Sequence, residues 1–181
     1  WICDRGRYDF KRVQEGATRL KDPILRKGEE FMKSDWPEAS AAAADGLTAG
    51  SASPASVAIL GSPTLTNEEL YLLKKLGERL GGVRVVSNSL EPEGEKLYGI
   101  ISSDPYPNSR GVRDMGLEYG SGKVSELAES IINGSIKVLY VAGEDIFGFV
   151  PEEEHPRLRE ALSALDLLIV EDYKVTETAK M

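Results

Sequence analysis

Hydrophobic and polar positions fall in blocks along this chain, and the blocks change character near residue 57. Before it, "LKDPILRKGEEFMKSDW" carries only short apolar pairs on either side of Lys27-Gly28, the pattern of two short strands joined by a turn. "WPEASAAAADG" reads as a short helix, with Pro37 in its first turn and Asp45-Gly46 at its end. "LTAGSASPAS", residues 47–56, is small and rich in Gly, Ser and Ala, which makes it the best linker candidate. Two units are expected. Residues 1–50 form an irregular segment with a hairpin and a helix, and residues 51–181 form an α/β domain.

Regular alternation begins at Val57-Ala58-Ile59-Leu60, a short apolar run that suits a strand buried on both faces. Thr66 and Glu69 then have capping-box spacing, Leu73, Leu76 and Leu80 recur on one helix face, and Gly81-Gly82 stops the helix. "VRVVS" is the next strand, completing a β-α-β unit. Residues 88–122 are rich in Gly, Pro and Asn and read as a long surface excursion, of the kind that is usually functional or interfacial. Val124, Leu127 and Ile131 mark a further helix ended by Asn133-Gly134. "IKVLYVAGED" is a strand, "HPRLREALSAL" a helix, "DLLIVED" another buried strand, and "KVTETAKM" the start of a capped helix. This order predicts an α/β fold with a Rossmann-like, mostly parallel sheet flanked by helices. Ligands of such sheets sit beyond the carboxyl ends of the strands, here Gly61-Ser62-Pro63, Gly143-Glu144-Asp145 and Glu171-Asp172. The first residue is not methionine and the last helix stops as it starts, so the chain is expected to be a piece of a longer polypeptide.

Composition narrows the function class. The net charge is -8, which argues against nucleic acid as a partner. Basic residues do gather near the start, at Arg5, Arg7, Lys11, Arg12, Arg19 and Lys21; a local anionic partner is one reading and an ordinary solvated surface the plainer one. No apolar run approaches the roughly 20 residues of a membrane helix, and no signal peptide is expected. One cysteine, Cys3, allows no internal disulfide and no self-contained cysteine cluster.

Ordinary enzyme motifs are missing. "GSPTLTNEE" after the Val57 strand is not G-x-G-x-x-G, and neither a phosphate-binding G-x-x-x-x-G-K-[ST] loop nor a G-x-S-x-G elbow is present. His155, in "PEEEHP", reads as an exposed capping residue at a helix start. Glu144, Asp145, Glu171 and Asp172 carry the oxygen ligands a metal needs, but the plainer reading is loop carboxylates facing water. Gly61-Ser62-Pro63-Thr64 precedes a helix and is the best small-anion candidate, against the plainer reading of a strand-to-helix turn. A thiolate such as that of Cys3 is a strong ligand for iron–sulfur clusters, which take four cysteines, so one cysteine supplies one corner.

Three blocks then carry a resemblance. "ICDRGRYDF" resembles the C-x-K-G-R-F segment of the molybdopterin oxidoreductase superfamily, "RLKDPILRKGEEFMKSDWPEA" resembles the segment that follows it there, and "LDLLIVEDYKVTETAKM" resembles the superfamily's strand and T-E-T-A helix start. Within the superfamily the chain is most similar to the large iron–sulfur subunits of bacterial respiratory complex I, through "ILGSPTLTNEELYLLKKLGERLG" and the "NSRGVRDMGL" loop.

The resemblance implies that Cys3 is the fourth ligand of a [4Fe-4S] cluster whose other three lie upstream. Arg5 matches a basic position between cluster and pterin, where a cation favours the more negative, reduced cluster. Cofactor-proximal positions would be Arg5, Gly61, Ser62, Gly143, Glu144 and Asp145. Three cluster ligands are missing, and no cysteine follows Cys3 to ligate molybdenum, which argues against bound molybdopterin. The implied setting is a subunit of a respiratory NADH:quinone oxidoreductase, peripheral on the cytoplasmic side of the inner membrane, with other subunits as partners. Its role there would be to scaffold an iron–sulfur chain without catalysing hydride transfer. The alternatives are a molybdopterin enzyme of the formate dehydrogenase or nitrate reductase type, and an unrelated α/β binding domain with an incidental Cys3.

Overall fold

A computed structural model describes residues 19–28, 30–88, 104, 106–120 and 122–181. Cys3, Arg5 and the whole "ICDRGRYDF" stretch lie outside the described residues.

The chain enters through an antiparallel hairpin, β1 (Ile24–Lys27) and β2 (Glu30–Lys33), in which Ile24 pairs with Lys33 and Lys27 with Glu30. The turn falls at Gly28, as the apolar pairs on either side of it implied. Helix α1 (Trp36–Gly50) follows, capped by the Asp35 carboxylate, which accepts from the Glu38 N–H at 2.8 Å. The sequence placed the end of this helix at Asp45-Gly46 and a linker from residue 47. Instead α1 runs on to Gly50. Packing decides this: Leu47 is buried, Gly46 lies under Leu167, and Gly50 lies against Val57 and Val138. Small residues in this stretch serve close approach to the sheet rather than flexibility.

Five parallel strands make the body: β3 (Val57–Gly61), β4 (Arg84–Ser87), β5 (Glu118–Tyr119), β6 (Val138–Ala142) and β7 (Leu167–Glu171), in spatial order β5-β4-β3-β6-β7. The central strand β3 is buried at every residue, and its alternation divides the core. Ala58 and Leu60 face helices α4 (Lys123–Ile132) and α5 (His155–Ser163), meeting Val124, Leu127, Ile131, Leu158 and Leu162. Val57 and Ile59 face α1 and helix α2 (Asn67–Arg79), meeting Leu47, Leu73 and Leu80. A smaller cluster of Leu70, Val112 and Leu117 lies between α2 and the short helix α3 (Ser109–Asp114).

Two readings of the sequence change. The excursion after β4 does not stay on the surface: its second half forms α3 and returns as β5 to pair with β4. A six-residue helix and a two-residue strand are too short for periodicity to reveal. Strand β7 is half-buried rather than buried, because it pairs on one side only, with β6. "KVTETAKM" closes with a 3₁₀ turn at Thr178–Lys180.

The chain moves outward from β3 through β4 to β5, then crosses back to lay β6 on the other side of β3. The order therefore reverses between β3 and β6. At such a switch point the loops leaving two neighbouring strands diverge to opposite faces, which opens a crevice at their carboxyl ends.

Candidate functional site

The switch point brings together five of the positions singled out in the sequence. Gly61 ends β3 with its Cα against α2; a Cβ there would lie 2.8 Å from Leu73 Cδ1. Ser62 is wholly buried. Its N–H donates to the Ala142 carbonyl at 2.9 Å, extending the β3–β6 ladder by one bond, and its hydroxyl pairs with that of Thr64 at 2.8 Å. The Thr64 N–H also donates to Ser62 Oγ, at 3.2 Å. Gly143, leaving β6, has φ of 69°, a left-handed conformation that side chains disfavour. Its N–H reaches the Glu171 carbonyl at 2.8 Å, so the turn also continues the β6–β7 pairing. The Ser62 and Gly143 N–H groups are spent on joining strands, and the Ser62 hydroxyl on Thr64.

Asp145 is fully engaged as well. Its Oδ1 accepts from the Phe147 N–H at 3.3 Å, from the Thr178 N–H at 3.3 Å and from the Thr178 hydroxyl at 2.6 Å, and its Oδ2 accepts from the Glu177 N–H at 2.9 Å. Thr178, itself buried, accepts in turn from the Ile146 N–H at 3.0 Å. The carboxylate is a clasp between the loop after β6 and residues 177 and 178, a chain separation of more than thirty residues.

Glu144 is different. Its Oε2 is buried and has no hydrogen-bond partner among the described residues. Burial, with the Asp145 and Asp172 carboxylates adding to it and Lys174 opposing, pushes its carboxyl up to about 7. Near it stands Tyr106, whose hydroxyl accepts from the Asn88 side-chain amide; burial first, then the Glu144 charge, raise the Tyr106 pKa. An open cleft of about 490 Å³ adjoins this corner, lined by Asn88, Tyr106, Ser125 and residues 148–151.

Asn108 and Gly111 form the wall next to the crevice. Asn108 donates through Nδ2 to the Leu65 carbonyl at 2.8 Å and caps α3 by accepting from the Gly111 N–H at 3.2 Å. A Cβ on Gly111 would overlap the Asn67 and Asn108 side-chain amides. The N-x-x-G spacing within "NSRGVRDMGL" is thus a brace that ties the excursion to the β3–α2 loop. Tyr106, Asn88 and Thr178 were not singled out from the sequence. Each acts through a partner many residues away, and local pattern carries no signal of that.

Two other expectations are corrected by the geometry. His155 is half-buried rather than exposed: its Nε2 lies 3.1 Å from the Phe147 carbonyl and 3.0 Å from that of Val150, and its ring meets Phe147 edge-on at 5.2 Å. It braces the Ile146–Phe149 turn. The strand-end carboxylates also differ among themselves: Glu171 is exposed, as the plainer reading expected, while Glu144, Asp145 and Asp172 are part-buried. Glu144 has a buried oxygen, Asp145 is saturated, Glu171 accepts from the Tyr140 hydroxyl, and Asp172 accepts from the Lys174 N–H at 3.1 Å. Among the described residues no group of three or more His, Cys, Asp or Glu side chains is placed to hold a metal.

A pterin dinucleotide would bring a pyrophosphate, and these residues do not fit one. Two of the amides at the start of α2 are occupied by the chain's own capping box: Thr66 Oγ1 accepts from the Glu69 N–H at 3.3 Å, and Glu69 Oε2 accepts from the Thr66 N–H at 2.7 Å. Glu68 and Glu69 already place two acidic residues in that first turn. Glu144 and Asp145 stand on the other side. An incoming anion would meet the Glu68, Glu69 and Asp145 side chains, where an anion site gathers N–H groups and cations.

Residues 19–91 match the family model for molybdopterin oxidoreductases. This stretch of the chain is similar to the molybdopterin oxidoreductase domain. The chain is 31% identical over 174 residues to the G subunit of the NADH-quinone oxidoreductase of Streptomyces coelicolor, an alignment covering 89% of this chain and 18% of that protein. It is 33% identical over 88 residues, 48% of this chain and 9% of the relative, to a Staphylococcus aureus protein provisionally named a formate dehydrogenase. The chain therefore spans less than a fifth of the length of these relatives. Relatives of both kinds are oxidoreductases by name. No helix among the described residues is long and apolar enough to cross a membrane.

Proposed function

We propose that the chain belongs to the large iron–sulfur subunit of a bacterial-type NADH:quinone oxidoreductase, where its α/β domain is a scaffold for electron transfer and holds no pterin. The observation that carries this reading is the reach of the likeness to the Streptomyces subunit, 174 residues against 88 for the formate dehydrogenase-type relative. The switch point supports it. Gly61, Ser62, Gly143 and Asp145 bind to each other's strands and loops, and the remaining carboxylate, Glu144, repels phosphate when ionised. In this reading Cys3 supplies one corner of a [4Fe-4S] cluster completed by three cysteines from elsewhere in the parent, and Arg5 stabilises its reduced state. The partners are the other subunits of the complex, at the cytoplasmic face of the inner membrane.

The second reading is a molybdopterin-dependent oxidoreductase of formate dehydrogenase type. The reversal of strand order between β3 and β6 favours it, since that is where α/β sheets take cofactors. There Gly61, Ser62 and Gly143 would line the crevice.

Purification of the full-length protein from its own host separates the two. The first reading expects it to travel with other subunits and to support NADH-driven quinone reduction. A protein that purifies alone and oxidises formate would overturn that reading.

A further inference from the structure

We propose that Glu144, Asp145 and Asp172 form a charge-sensitive latch, which holds residues 177 and 178 against the carboxyl end of β6 while Glu144 is neutral and loosens when Glu144 ionises. The latch lies wholly in the corner where β6 and β7 end, and it operates whatever the parent complex is.

Three carboxylates converge there on two neighbouring parallel strands. Ala142 is in register with Glu171, so the residues that leave the two strands, Gly143-Glu144-Asp145 and Asp172, start side by side. Asp145 accepts from two backbone N–H groups, of residues 177 and 178, and from the Thr178 hydroxyl. Asp172 caps the turn that leads into that same segment, through the Lys174 N–H. Both carboxylates act as acceptors in these bonds, and neither donates to Glu144.

Among the described residues, the groups facing Glu144 are Asp145 on its own loop, Asp172 and Lys174 after β7, and Tyr106 before α3. Of these only Lys174 is positive. A neutral Glu144 carboxyl adds no charge to the corner. An ionised one leaves Oε2 buried without a donor and sets a third negative charge beside two others, a state that burial makes costly. The least expensive relief is movement of the loop that carries Glu144, and Asp145 must move with it. The bonds at risk are therefore those of the Glu177, Thr178 and Ile146 amides, which close the clasp.

Amide hydrogen exchange in the full chain between pH 5.5 and 8.5, corrected for intrinsic exchange, tests the latch. The Glu177, Thr178 and Ile146 amides are expected to lose protection by about tenfold as Glu144 ionises, while Ile59 and Leu60 in β3 do not change. Glu144→Gln should abolish the change. Asp172→Asn should move its midpoint to lower pH, because removing a like charge makes Glu144 easier to ionise. Protection that does not vary with pH overturns the latch. So does a Glu144→Gln variant that keeps the wild-type profile, or a midpoint in Asp172→Asn that fails to fall.

Discussion

The sheet and the entry hairpin are both β-structure, yet they are held by different physics. In the sheet, β3 is buried at every position, and its side chains meet helices on one face or the other. In the hairpin, all four residues of β2 are exposed, and Ile24, Phe31 and Met32 each show about half of their surface. It has polar links to the body: the Lys27–Glu38 pair at 3.0 Å, and the bond that Arg26 Nη1 donates to the Met181 carbonyl. Exposed ion pairs contribute little, and a two-stranded hairpin is marginal by itself. The contrast teaches that the sheet specifies its own structure, whereas the hairpin borrows its order from the neighbours it touches.

Substitutions can break that contrast. The largest effect is expected in the sheet core: Leu139→Ala, wholly buried in β6, should lower unfolding stability by about 3 kcal/mol in denaturant titrations. Next comes the clasp. Asp145→Ala leaves the Glu177 and Thr178 amides and the Thr178 hydroxyl without their acceptor, a loss of about 2 kcal/mol by the same measurement.

Glu144 follows, through pH. Its folded pKa is raised from an ordinary 4.5 to about 7, so the folded state binds a proton that the unfolded chain has released between those values. The contribution is complete below pH 4.5 and is lost as pH rises to 7. Since the side chain is part-exposed, the loss is on the order of 1 kcal/mol, and Glu144→Gln should flatten the thermal midpoint across that window. The smallest effect belongs to the hairpin, where Phe31→Ala should change stability by less than about 0.5 kcal/mol. A loss at Phe31 equal to that at Leu139 would erase the distinction between the two regions.

The same distinction explains what was legible in the sequence. Val57-Ala58-Ile59-Leu60, the Thr66–Glu69 capping box and the Leu73 and Leu127 faces are local patterns, and each became the element it implied. The end of α1 was misplaced because Gly46 stops a helix only when nothing packs on it, and Leu167 does. Helix α3 and strand β5 were hidden by their length. At the switch point the sequence marked the right strand ends but not what their residues do. That Asp145 is saturated by Thr178, and Glu144 left with a buried, unpartnered oxygen, depends on a segment more than thirty residues further on.

The proposed reading is that the crevice holds no pterin and that Cys3 serves a cluster. Iron and molybdenum measured together on the full-length protein, purified without oxygen, test both at once. The account predicts iron without molybdenum, with a loss of about four irons in Cys3→Ser, the content of one cluster. Stoichiometric molybdenum, or iron unchanged by Cys3→Ser, would contradict it.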